Sequence, residues 1–259
     1  MSQDPGARIL SMNNQPTLDD LWNSALPATR TFDPAALANL PEPARRYLAH
    51  AIVPGTPLAS AVRLRMHGEI KLKGWLPFSA EQVINWEHGM IWKATVRMHG
   101  LPITGFDRFL DGEGAMRWKL LGIVPVMTAS GPDISRSAAG RVEAEATWLP
   151  SVLCGEDVAW TAADPSHPHA RVTLRGETTE VELTVDESGR LRSLKMPRWG
   201  NPEGKEFHAA DFGGIVEEER TFGGYTIPSK LRIGWYFGSD RFETEGEFFR
   251  CALDEAEYR

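Results

Sequence analysis

Cysteine is scarce: two residues, Cys154 and Cys251, in a chain of 259. That is too few for a disulfide scaffold or an all-cysteine zinc site. Basic charge is also in deficit, with 28 Lys and Arg against 35 Asp and Glu and a formal net charge of −7. A surface that follows a phosphate backbone needs a basic excess, so nucleic acid is not an expected partner. Long apolar runs are missing. No stretch approaches the run of about 18 residues that a membrane-spanning helix needs, and membrane insertion is not expected. Residues 1–30 include Asp4, Asp19 and Asp20 and no apolar stretch of the secretory kind, so the expected location is cytoplasmic. Phosphate and nucleophile signatures are lacking too: no G-x-G-x-x-G opens a helix, and there is no G-x-x-x-x-G-K-[ST] and no G-x-S-x-G. Rossmann, P-loop and α/β-hydrolase chemistry fall away, and no cofactor is expected.

What is present is ordinary globular composition, 42% hydrophobic and 24% charged, in a chain long enough for one large core. Residues 1–30 read as a flexible lead, inside which Thr17 and Asp20 have the spacing of a capped helical turn reaching Trp22. Residues 31–259 carry no linker and no repeat, so a single domain is expected there. Helix signals cover residues 33–52 in two pieces, with Asp33 as cap, Pro41 and Pro43 as the break, and Ala44, Tyr47, Leu48 and Ile52 as one apolar stripe. From Val62 the period drops to two: Val62, Leu64 and Met66 alternate with Arg63, Arg65 and His67. Further strand-like runs follow at 78–86, 91–98, 104–110 and 116–121, parted by glycine-containing turns. One helix is expected over residues 135–149, stopped by Pro150. Strands are then expected at 158–162, 170–174, 179–185, 190–196, 206–221, 226–237 and 241–251. About a dozen short strands with so few helices give a mainly β (α+β) fold. The expected form is a large curved antiparallel sheet or half-open barrel, with two or three helices packed on or in it and an internal cavity.

Candidate chemistry concentrates in the central helix. Arg141 and Glu145 stand four residues apart, and Glu143 and Glu145 point about 200 degrees apart around the axis. A partly buried carboxylate there would have a raised pKa and serve as general acid or base, whereas an exposed one would be only a surface ion pair. His67 and Glu69 share a strand face that His99 could reach from a neighbouring strand. A solvated sheet face is the simpler account of that trio, and no metal is expected. Cys154 sits beside Glu156 and Asp157, which oppose thiolate formation, so it is not an expected nucleophile. Nine Trp is a high count. Most belong in the core, and Trp92, Trp118 and Trp148 are the ones expected to line a cavity for a flat or apolar ligand. The Arg198-Trp199-Gly-Asn201 segment is the loop expected to touch that ligand.

Several stretches resemble an uncharacterised bacterial domain family of unknown function: Leu40-Pro-Glu-Pro-Ala-Arg-Arg-Tyr-Leu48, Trp75-Leu-Pro-Phe-Ser-Ala-Glu-Gln82 and Met90-Ile-Trp-Lys-Ala94. Arg141-x-x-Ala-Glu-Ala-x-Trp-x-Pro150 and Ile227-Pro-x-x-x-x-x-x-Trp235 do so too. The match runs from about residue 38 to 250, and Ala-Glu-Ala-x-Trp-x-Pro is its most specific part. The overall pattern is similar to the lipoprotein-carrier superfamily, whose half-open barrel wraps helices and holds acyl chains. A cofactor-free enzyme of bisindole pigment biosynthesis uses the same barrel type. The family brings no established activity, so no catalytic role follows from the resemblance, and the residues and barrel type together leave two functions. One is a binding protein for a small apolar, lipid-like or aromatic molecule. The other is a cofactor-independent enzyme acting on such a molecule, with Glu145 or Glu143, Arg141, His67 and His99 as its acid, base and anion-orienting groups.

Overall fold

Strict alternation of apolar and polar residues makes strands, and the structure, a computed structural model, describes residues 16–259 and contains thirteen of them. They are β1 (Ala61–Lys71), β2 (Trp75–Asn85), β3 (Gly89–Met98), β4 (Leu101–Leu110), β5 (Glu113–Leu120) and β6 (Val124–Ser130). The second set is β7 (Ala159–Asp164), β8 (His167–Leu174), β9 (Glu177–Val185), β10 (Leu191–Gly200), β11 (His208–Phe222), β12 (Tyr225–Trp235) and β13 (Glu247–Tyr258). All belong to one antiparallel sheet in the order β6-β5-β4-β3-β2-β1-β13-β12-β11-β10-β9-β8-β7. Two meanders are thus joined by the β1–β13 seam, in which Val62 faces Tyr258 and Glu69 faces Arg250. The sheet does not close: β6 and β7 remain its two edges.

The chain crosses between those edges through the concave side. Helix α3 (Pro132–Ala144) touches β4 and β5 of one arm and β9 and β10 of the other, so the sheet curls around it. The inward residues of the strands form one core on this concave side. Val62, Leu64 and Met66 of β1 are at most 2% exposed, while their neighbours Arg65 and His67 face outward. Helix α2 (Glu42–Ala51) covers β7, β8 and β12 with the stripe Ala44, Tyr47 and Leu48. Helix α1 (Leu18–Ser24) lies on the opposite, convex face, where Leu21 meets Val83 and Ile91.

Four expectations need correction. The lead is not flexible throughout: Thr17 and Asp20 form a capping box and Leu21 is buried, so residues 18–24 are an ordered helix. Residues 1–15 of that lead lie outside the described residues. The central helix begins at Pro132 and gives way after Ala144 to tighter turns over Glu145–Trp148 and Pro150–Cys154. Pro150 disfavours helical backbone at Leu149, which sits at φ −132°, ψ 61°, and Thr147 caps the Ala144 carbonyl. Strand β6 is an unexpected addition. Pro125 argues against a central strand, but an edge tolerates it. Finally, the last strand starts six residues later than expected, at Glu247, after a helical turn over Phe242–Gly246.

Buried polar bonds hold α2 and its approach to the sheet. Tyr225 is fully buried, its hydroxyl accepting from the Ala59 amide and donating to the Pro57 carbonyl. Tyr225→Phe strands both groups, and we expect a loss of about 1–3 kcal/mol in urea unfolding. An unchanged midpoint would contradict this reading of the junction.

Candidate functional site

Where α3 ends, the sheet is left partly unfilled. A partly open cavity of about 170 Å³ lies between the end of α3 and strands β1, β3, β4 and β10–β13. Its wall is largely apolar: Met66 and Ile70 of β1, Trp92 of β3, Leu231 and Ile233 of β12, and Phe212 and Phe249. Trp148 closes it from the turn after α3, fixed by its indole N–H donating to the Pro228 carbonyl at 3.0 Å. Trp92, Phe78 and Phe249 pack edge and face against one another at 4.9–6.0 Å between centroids. Such wide, rigid faces suit a flat or apolar ligand.

One corner of the cavity is charged. Arg141, on the last turn of α3, donates through Nε to Glu145 Oε1 at 2.7 Å and through Nη1 to Asp107 Oδ2 at 3.2 Å. Gln82 donates to the other Glu145 oxygen, and Trp118 Nε1 donates to Asp107 Oδ1 at 3.0 Å. The Arg141 guanidinium also lies 5.1 Å from the centre of the Trp92 ring. Burial holds the Asp107 carboxyl above its ordinary range, against the pull of Arg141 and Trp118. The flanking carboxylates keep Arg141 firmly protonated despite its burial. Arg198, from β10, is differently placed. It donates through Nε and Nη2 to the Ser137 carbonyl and covers Phe212 at 4.5 Å. No carboxylate pairs with it among the described residues, and burial beside Arg141 pushes it down to about 10, so it is still a cation at neutral pH.

The cavity therefore gathers Arg141, Glu145, Trp148, Trp92 and Arg198, with Trp118 one layer behind Trp92 at 5.7 Å. Five other sequence candidates stand elsewhere. Glu143 is 1% exposed on the far face of α3, beside Thr179 and Leu174. His67 points outward from β1 and pairs with Asp254 at 2.9 Å. His99 occupies the β3–β4 turn, while the register sets Thr95, through Ser79, across from His67, so the suspected trio does not assemble. Trp199 sits at the start of α3, bonded to Asp133 and covered by Arg136 at 4.2 Å. Asn201 follows β10, its Oδ1 buried and unbonded outside this cavity. Asp107 was missed, although its alternation with Ile103 and Phe109 along β4 aims it inward. Among the described residues no three His, Cys, Asp or Glu groups converge as metal ligands. Both thiols are pushed up to about 12 by burial, so neither is a thiolate at neutral pH.

Fold and site together define an open antiparallel half-barrel that wraps a helix and keeps an apolar cavity with one charged corner. The chain belongs to a family of unknown function, DUF6920, whose model matches residues 38–258. No curated protein matches it. Among solved structures it is similar to a LolA superfamily protein of Nitrosomonas europaea, at 10% identity, 84% coverage of this chain and 92% of that one, with a TM-score of 0.42. A lipoprotein-sorting protein domain of Vibrio parahaemolyticus is 6% identical over 77% of this chain and 86% of that one, TM-score 0.40. A DUF1329 family protein of Desulfovibrio piger is 12% identical over the same shares, TM-score 0.42.

Glu143 supplies a pH test of this placement. Burial raises its carboxyl from an ordinary 4.5 to about 7. The folded state thus keeps this proton to higher pH than the unfolded chain does, and stability falls as pH rises from about 4.5 to about 7. Between pH 5 and 8, Glu143→Gln should gain on the parent by on the order of 3 kcal/mol in denaturant midpoints. A constant difference across that range would show that Glu143 is solvated.

Proposed function

We propose that the protein binds one small apolar molecule, an aromatic ring or a short acyl segment, in the cavity, with an acidic end of that molecule against Arg198. The carrying observation is the pairing of an aromatic, apolar wall with a cation that has no carboxylate partner among the described residues. The volume supports the size class, since an apolar cavity of about 150 Å³ takes up benzene. Burial of the ligand's apolar surface provides the affinity, and the guanidinium orients it.

Acid–base catalysis on the same molecule is the second reading, and Asp107 and Glu145 at the charged corner favour it. Both carboxylates are already held by Arg141, an arrangement that neutralises them rather than readies them for proton transfer. Binding is therefore the preferred reading.

Native mass spectrometry of the purified chain, followed by denaturing extraction, reveals any molecule carried from the cell. Ligand-observed NMR with hexanoate, benzoate and toluene then tests the chemistry. Leu231→Trp should fill the cavity and abolish uptake of all three. Arg198→Met should weaken hexanoate and benzoate about tenfold, a cost of about 1.4 kcal/mol, while leaving toluene unchanged. Saturable binding that survives Leu231→Trp would sink the proposal.

A further inference from the structure

In an antiparallel meander every second turn lies at the same end of the sheet. The β1–β2, β3–β4 and β5–β6 turns therefore share one end, and each presents bare apolar side chains. Leu72 is 56% exposed in the first, Leu101 47% beside the second, and Leu121 and Ile123 52% and 77% in the third. Val124, Val126 and Met127 of the edge strand β6 continue the patch at 47–55%. The last two turns touch directly, the Leu121 amide donating to the Pro102 carbonyl at 2.8 Å. Leu121 sits at φ 54°, a left-handed conformation that Asn or Gly adopts more readily, so a bulky apolar residue is held at the tip against local preference. Exposed apolar patches of this kind mark interaction surfaces.

Along β3–β6 the charge around the patch is of one sign. Residues 94–106 and 114–132 contain no Asp or Glu, in a chain of net charge −7. Arg97, Arg117 and Lys119 lie along these strands, and Lys71 and Lys73 flank Leu72. The acidic groups of the nearby β12–β13 connection include Glu243 and Glu245, which are ion-paired with Arg232 and Arg241. The opposite end has another character: its β2–β3 and β4–β5 turns carry Glu87, Asp111 and Glu113 and no exposed aliphatic tip. The edge itself is poorly made for another strand, because Pro125 removes a donor and the register shifts between Trp118 and Lys119. Apolar tips ringed by cations match the interface of an anionic bilayer.

We propose that this end of the molecule docks on the surface of an anionic lipid bilayer. Leu101, Leu121 and Ile123 enter the headgroup boundary, and Arg97, Arg117 and Lys119 meet the lipid phosphates. Docking is interfacial: no helix of the described residues is long and apolar enough to cross a membrane. The surface is adjacent to the cavity, since Ile70, which lines the cavity, is next to last in β1 and faces Phe249 near the start of β13. It stands, however, whatever the cavity holds.

Flotation of the full chain with vesicles tests it. At low salt, binding to 7:3 phosphatidylcholine–phosphatidylglycerol vesicles should exceed binding to pure phosphatidylcholine by at least tenfold, and 0.5 M NaCl should remove the difference. Ile123→Ser with Val126→Ser should lower binding at least tenfold, and Arg117→Gln with Lys119→Gln should abolish the phosphatidylglycerol preference. Both pairs should keep the parent Tm, because Ile123, Val126 and Arg117 are exposed and the half-buried Lys119 has no ion-pair partner among the described residues. Failure to float with either vesicle, or equal binding by parent and variants, overturns the proposal. So does sedimentation showing a dimer that Ile123→Ser dissociates, which would assign the patch to a second copy.

Discussion

Arg141 is the group on which the architecture turns. An open sheet of thirteen strands has two free edges and a concave face that must be filled, and α3 is the only element that spans the gap between its arms among the described residues. Arg141 ties that helix to β4 through Asp107, and through Glu145 and Gln82 to β2. Arg198 of β10 reaches the same helix at the Ser137 carbonyl from the other side. Gly140 allows this approach, since a Cβ there would stand 3.3 Å from the Arg198 side chain. Two arginines thus pin one helix to both arms. Removing one partner from a buried ion pair typically costs about 3–5 kcal/mol, because the survivor is left desolvated.

The cavity follows from how that strap ends. Pro150 prevents the helix from continuing, the chain tightens after Ala144, and Trp148 swings in as a lid rather than as another helical turn. The space beyond is walled by strands whose inward residues are aromatic or aliphatic. The charges that would make such a space wet are confined to one corner and mostly cancel there. Arg198 is the exception, and it gives the cavity a polarity along which an acidic, apolar molecule can align.

Much of this was legible in the sequence. Period-two alternation from Val62 onward, glycine turns and the scarcity of helix signals gave the open antiparallel sheet, and the i, i+4 pair Arg141 and Glu145 marked the charged corner. The separation of Glu143 from Glu145 around the helix was also readable, and the structure puts one in the cavity and the other against β8 and β9. What was not legible depends on register and tertiary contact. His67 and His99 looked close because strand neighbours were known without their offset, and a shift along a strand moves a side chain out of reach. Strand β6 hid behind Pro125, which is tolerated only because β6 has no neighbour on one side. Asp107 was overlooked because it lies between Phe106 and Arg108 on a strand that otherwise reads as ordinary sheet.

The most direct test of the account is amide hydrogen exchange on Arg141→Met beside the parent protein. If α3 is a strap pinned to one arm by Arg141, amides of α3 and of the flanking strand β4 lose protection together, while the β1–β13 seam keeps it. Protection unchanged in α3, or lost uniformly across the sheet, would contradict the claim that this one side chain holds the helix to the β2–β4 arm.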